Sequence, residues 1–200
     1  MKFLSPCMRC GRCCTSFAVC VTAFDVKRIT AATKIKPKDF LDLLPEPKER
    51  ERTEPAIRIG DKYFLLVLKR SRKNVCYFYS ESTKKSRLEL YRTSDYFLGS
   101  VYDDINKGCI IYTDRPMLCR TYPYKSSKKQ LIEMFSRACQ KHWQPNNVDK
   151  KQYLKDCEKY KKEINAYADM VKEWNKKSGD FREFLRFICP CPNVLQHPCR

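Results

Sequence analysis

The spacing of apolar residues changes several times along the chain. Between residues 150 and 177 they recur at steps of three and four: Tyr153 and Leu154, Cys157, Tyr160, Ile164, Tyr167 and Ala168, Val171 and Trp174. This stripe predicts one long helix. Gly179 ends it, and residues 181–188 predict a short final helix. Asp25, followed by Val26, Ile29 and Ala32, predicts a helix over 25–32 with an acid in its first turn. Pro37 at a first-turn position, followed by Phe40, Leu41, Leu43 and Leu44, predicts a second. Segments 56–59 and 62–68 flank Gly60 and Asp61 and read as a hairpin with a two-residue turn. Residues 75–79, 109–112 and 130–135 predict further short strands. Pro45, Pro47 and Pro55 bracket a charged linker, residues 80–107 show no clear period, and residues 1–22 read as an irregular loop. The prolines after Cys189 exclude a regular helix there.

Composition narrows the class. The chain has 200 residues, 42% hydrophobic and 32% charged, enough for one domain with a modest extension. No run approaches the ~18 apolar residues that span a bilayer. The first residues lack the apolar stretch of a secretory signal, so the expectation is a soluble cytoplasmic protein. The five glycines are too scattered for a phosphate-cradling loop. That excludes a nucleotide kinase, a P-loop ATPase and a typical dinucleotide-binding dehydrogenase.

Cysteine changes the picture most. There are 13, an odd number, and Cys7, Cys10, Cys13 and Cys14 crowd around Gly11 in a poorly apolar segment. Without a secretory signal, a disulfide scaffold is the weaker reading. Core packing does not account for four thiols in so short a stretch, whereas two-residue gaps let thiolates bend round a metal. Neighbouring side chains diverge, so Cys13 and Cys14 suit two nearby metal positions, or one ligand beside a thiol that supports it. Sulfur-only ligation suits zinc or an iron–sulfur cluster. The run Cys7, Cys10, Cys13 has the spacing of cluster-binding loops and leans toward 4Fe–4S, although the usual fourth cysteine followed by proline is missing.

The segment Cys7-Met8-Arg9-Cys10-Gly11-Arg12-Cys13-Cys14 resembles the opening of the YkgJ-type CxxCxxCC cysteine-cluster family of zinc- or iron-chelating domains. A similar domain occurs in flagellin lysine N-methylase. Residues 108–123, with Cys109, Arg115-Pro116 and Cys119-Arg120, resemble the second block of that family, C-x-I-Y-x-x-R-P-x-x-C-R-x-x-P. Cys76 and Cys139 match the cysteines before and after that block. The resemblance spans about residues 7 to 139 and implies metal ligation by Cys7, Cys10, Cys13, Cys14, Cys76, Cys109, Cys119 and Cys139. Thirty-two residues separate Cys76 from Cys109, where the family has a much shorter link. Without a glycine loop for a methyl donor, the resemblance implies shared metal chemistry more than shared activity, and leaves enzymatic activity open.

The expected fold class is therefore α+β: a small, irregular, cysteine-rich metal-binding domain over residues 1–145, with an insertion at about 80–107. A C-terminal helical extension and cysteine-containing tail follow over 146–200. Cys20 and Cys157 lie in apolar contexts and read as buried hydrophobes. Cys189, Cys191, Cys199 and His197 either form a second site or are incidental thiols of a tail. Arg115 and Arg120 either offset thiolate charge or, with Asp114, pin the turn at Pro116; the first is favoured because Arg120 adjoins Cys119. His142 and His197 have no triad context.

The formal charge is +18, and residues 62–141 hold 17 basic against 7 acidic side chains. Tyr63, Phe64, Tyr77, Phe78, Tyr79, Tyr91, Tyr122 and Tyr124 are interleaved with that region. Basic side chains among aromatics suit phosphate contact and base stacking, although such aromatics also serve cores. Two functions follow. One is an iron–sulfur protein with a redox or cluster-assisted role. The other is a zinc-stabilised module that binds nucleic acid or an acidic protein partner.

Overall fold

Thr22 and Asp25 start the first long helix. Asp25 N–H donates to the Thr22 hydroxyl at 3.3 Å, and the Asp25 carboxylate accepts the Thr22 N–H at 2.9 Å. This reciprocal cap opens the helix Ala23–Thr33 two residues before the expected start. Lys34, in the left-handed region at φ 58°, closes it after Thr33. Asp180 and Glu183 form the same cap at the start of the last helix.

The computed structural model describes residues 11–46, 54–80, 108–127, 130–133, 147–177 and 179–189. Its elements are α1 (Arg12–Ser16), α2 (Ala23–Thr33), α3 (Pro37–Phe40), β1 (Leu41–Pro45), β2 (Ile57–Ile59) and β3 (Lys62–Leu68), then β4 (Tyr79–Ser80) and β5 (Gly108–Cys109). A 3-10 turn at Tyr112–Asp114, α4 (Met117–Thr121), β6 (Tyr124–Ser127), β7 (Gln130–Glu133), α5 (Asn147–Lys177) and α6 (Phe181–Ile188) follow. The fold is α+β, with short antiparallel strands and one long helix late in the chain. Among the described residues no helix is long and apolar enough to cross a membrane.

The expected hairpin forms, with Gly60 at φ 58° in its turn. The helix expected after Pro37 stops at Phe40, and residues 41–45 become β1, paired antiparallel from Leu41↔Leu68 to Pro45↔Phe64. Five mostly apolar residues fit a helix or a strand locally; the free edge of β3 decides. The sheet order is β1-β3-β2. Residues 19–21 pair with the end of β3 that β2 leaves open, through Val21 N–H to Leu66 O at 3.0 Å and Leu68 N–H to Val19 O at 2.9 Å.

Three local expectations need correction. The loop expected over 1–22 contains α1, since 11–22 are described and 12–16 are helical. In place of the strands expected at 75–79 and 109–112 the chain forms two-residue strands, β4 and β5, that overlap them only at Tyr79 and Cys109, and Tyr112 enters a 3-10 turn. β7 pairs with β6, a strand and hairpin the pattern did not predict. Residues 81–107 of the expected insertion, and the tail beyond Cys189, lie outside the described residues.

Helix α5 docks against the edge of β2. Trp174 Nε1–H donates to Arg58 O at 2.8 Å, Arg58 N–H donates to Asn175 Oδ1 at 2.8 Å, and Asn175 Nδ2 donates to Ala56 O at 3.0 Å. Its buried stripe of Ile164, Tyr167, Val171 and Trp174 joins a core with Val26 and Ile29 of α2, Leu66 and Leu68 of β3, and Phe184 and Ile188 of α6. A Cβ at Gly179 would meet the Trp174 ring at 2.7 Å, so the α5–α6 joint needs glycine.

Candidate metal centre

Gly11 caps α1 at φ 74°, and a Cβ there would lie 2.6 Å from Cζ of the Tyr79 ring. Both the backbone conformation and the ring therefore require glycine. The contact seats the end of the CxxCxxCC motif on β4. Two and three residues later, the sulfurs of Cys13 and Cys14 approach to 4.0 Å. Cys14 O accepts the N–H of Cys76 at 2.9 Å, and Cys76 O accepts the N–H of Tyr79 at 3.0 Å. Tyr79 in turn pairs with Cys109 across β4 and β5. The chain then turns through Tyr112–Asp114 into α4, which carries Cys119.

Arg70 fastens this arrangement and was not singled out by the sequence. It donates to the carbonyls of Thr15, Phe17 and Asn74, and to Asn74 Oδ1 at 2.7 Å. One guanidinium thus joins the exit of α1 to the turn before Cys76. The long-range part of this role leaves no signal in spacing, because the partners on the α1 side are main-chain oxygens 53 and 55 residues away.

The thiols sense one another. The Cys14 thiol, hydrogen-bonded to Cys13, lowers the pKa of Cys13 to about 7 against the opposing effect of burial, and Arg115 helps. The same bond, with burial and the charges of Cys13, Cys109 and Cys76, pushes Cys14 upward. Burial, then the charge of Cys76, pushes Cys109 up to about 12, while Arg115 pulls it down. Burial raises Cys119 as well, reinforced by Cys13, Cys109 and Cys76 and opposed by Arg115. Five of the eight candidate cysteines, 13, 14, 76, 109 and 119, therefore act on one another, and Arg115 acts on three of them, Cys13, Cys109 and Cys119. Cys7, Cys10 and Cys139 lie outside the described residues.

An all-sulfur set beside a buried cation fits a soft metal or an iron–sulfur cluster, and does not fit an oxygen-seeking ion. Among the described residues no three ligating side chains stand ready to hold an ion by themselves.

The two arginines divide their roles. Arg115 is buried, lies 3.9 Å above the Tyr112 ring and lowers the thiol pKa values. Arg120, favoured from sequence for its place beside Cys119, donates to the carbonyls of Thr113 and Arg115. The turn at Pro116 is thus pinned through the main chain, while the carboxylate of Asp114 accepts from the Thr113 hydroxyl.

Cys157 is buried, as expected, whereas Cys20 is only half-buried where it bridges to Val67. Cys189 packs into the core, with burial raising its pKa. Cys191, Cys199, His142 and His197 lie outside the described residues. Most of the described aromatics are packing elements: Phe78 is core, Tyr122 meets Phe17 at 5.3 Å, and Tyr124 meets Tyr153 at 5.2 Å. Tyr63 is exposed.

Compared with known proteins, residues 6–158 match the family model CxxCxxCC, described as "Putative zinc- or iron-chelating domain". No curated protein and no solved structure matches the chain.

Proposed function

The chain belongs to the CxxCxxCC family, and from that premise we propose that it holds a 4Fe–4S cluster in a redox or cluster-assisted role. The candidate donors are Cys7, Cys10, Cys13, Cys14, Cys76, Cys109, Cys119 and Cys139, of which four would bind the cluster and the others support it. The observation that carries the reading is that Cys13, Cys14, Cys76, Cys109 and Cys119 act on one another, with Arg115 acting on Cys13, Cys109 and Cys119. Eight thiols suffice for two four-thiolate zinc ions or for one cluster with four thiols to spare, so their spacing carries the choice. The Cys7–Cys10–Cys13 spacing matches that of cluster loops.

A bound cluster supplies one-electron chemistry at iron. The chain supplies the rest: α1, β5 and α4 withdraw sulfur from water, and Arg115 offsets the negative charge of the thiolates. Packing of Phe78, Tyr122 and Tyr124 weighs against a base-stacking surface. Anaerobic purification followed by iron, zinc and acid-labile sulfide analysis tests the proposal. A brown protein with iron and sulfide in equal amounts is expected. A colourless protein with stoichiometric zinc and no sulfide would replace the cluster by a zinc-stabilised module.

A further inference from the structure

Asp25 is almost fully buried, at 1% exposure, and its two oxygens have separate tasks. Oδ2 accepts the N–H and the hydroxyl of Thr22 at 2.9 and 3.0 Å, which completes the cap of α2. Oδ1 accepts the N–H of Met117, the first residue of α4, at 2.9 Å, and also Nη2 of Arg28. Arg28 then grips Glu163 in the middle of α5, through Nη1 at 2.6 Å and Nη2 at 2.8 Å. One carboxylate therefore joins the starts of two helices and, through a forked arginine, a third.

A helix cap needs only Oδ2. The Oδ1 contacts reach a segment 92 residues away and serve something else. Helix α4 has five residues, too few to hold its own shape, and its first N–H groups have no partner within the helix. Cys119 sits two residues after the N–H that Asp25 holds.

We propose that Asp25 is the positioning residue of the metal centre: by holding Met117 N–H it sets how α4 presents Cys119, and the Arg28–Glu163 pair holds Asp25 in place. The proposal rests on Cys119 being a metal ligand. It joins the centre to α5 through the Asp25–Arg28–Glu163 contacts alone, apart from the apolar packing of that helix.

The test compares Asp25→Asn with Val171→Ala, a core truncation in α5 that leaves the network intact. An amide offers one acceptor oxygen where Asp25 uses two, so one set of donors loses its partner. Anaerobically purified protein is assayed for its thiolate-to-metal charge-transfer spectrum and for metal release to a chelator. Asp25→Asn should release metal about ten-fold faster, with an altered spectrum per bound metal. Val171→Ala should lower Tm and keep the wild-type spectrum and release rate. Glu163→Gln, which keeps Asp25, should speed release by a smaller factor, and it serves if Asp25→Asn fails to fold. Wild-type spectrum and release in Asp25→Asn would overturn the role, as would the same change in Val171→Ala. If only Glu163→Gln folds, a wild-type release rate in it would overturn the role too. A metal-free wild-type protein would overturn the reading of the centre itself, and the positioning role with it.

Discussion

Helix α5 buries Ile164, Tyr167, Val171 and Trp174 against a three-stranded sheet, whereas α1 and α4, five residues each, carry thiols beside strands of two residues. The first region is held by apolar area and by hydrogen bonds from α5 to β2. The second has little repetitive backbone bonding. It depends on single reaching groups: Arg70 on the exit of α1, Tyr79 over Gly11, Arg120 on the turn at Pro116, and Asp25 on α4. In such a region the free energy of metal binding is also folding energy. The contrast teaches where each kind of damage should appear.

Removing a thiol should separate the regions most sharply. Cys109→Ser should abolish stoichiometric metal, while Cys157→Ala, on the buried side of α5, should keep it; metal analysis of both variants decides. In Cys10→Ser, limited proteolysis should cut residues 1–140 quickly and spare the α5 segment. Equal protection of both would mean that the regions do not differ in their dependence on metal.

A cavity in the apolar region should do the reverse. Trp174→Ala removes a ring packed 5.3 Å from Phe184 and a hydrogen bond to Arg58 O, and should cost ~3–5 kcal/mol. Thermal melting should register it, with metal per folded molecule unchanged.

Proton competition should be confined to the thiols. With Cys109 raised to about 12 and Cys119 raised too, both carry protons at neutral pH in metal-free protein, and metal must displace them. Affinity should therefore rise with pH, by about ten-fold per unit for each proton released. Chelator competition at pH 6.5 and 8 measures it, and a flat profile would contradict the burial of these sulfurs.

Gly11→Ala imposes ~1–2 kcal/mol of backbone strain, plus the collision with Tyr79. It should weaken metal retention, and a second change, Tyr79→Leu, should recover the part due to the ring. The smallest effect belongs to the solvated face of α5. Breaking Lys172–Asp169 or Lys176–Glu173, both exposed i,i+3 pairs, should change stability by less than about 0.5 kcal/mol and leave metal untouched.

Much of the apolar region was legible from sequence because its signals are local. The three- and four-residue period of α5, the acid that begins α2, and Gly60 between two apolar runs each act within a few residues. The chemistry of the cysteine region was legible as well, since ligand type and spacing are sequence properties. Residues 41–45 were misread because five residues cannot separate a helix from a strand without knowledge of β3. β6 was missed because a four-residue strand seldom declares itself without its partner.

What the sequence by itself determined, then, are the long helices, the hairpin, the family and the sulfur-based chemistry. Tertiary structure alone decided which arginine serves the sulfurs, how Arg70 closes the turn before Cys76, and how Asp25 holds α4. Those contacts join residues 53, 55 and 92 positions apart, mostly to main-chain N–H and C=O groups that every residue carries. A main-chain partner leaves no mark on residue identity, so only the folded chain reveals which one is used.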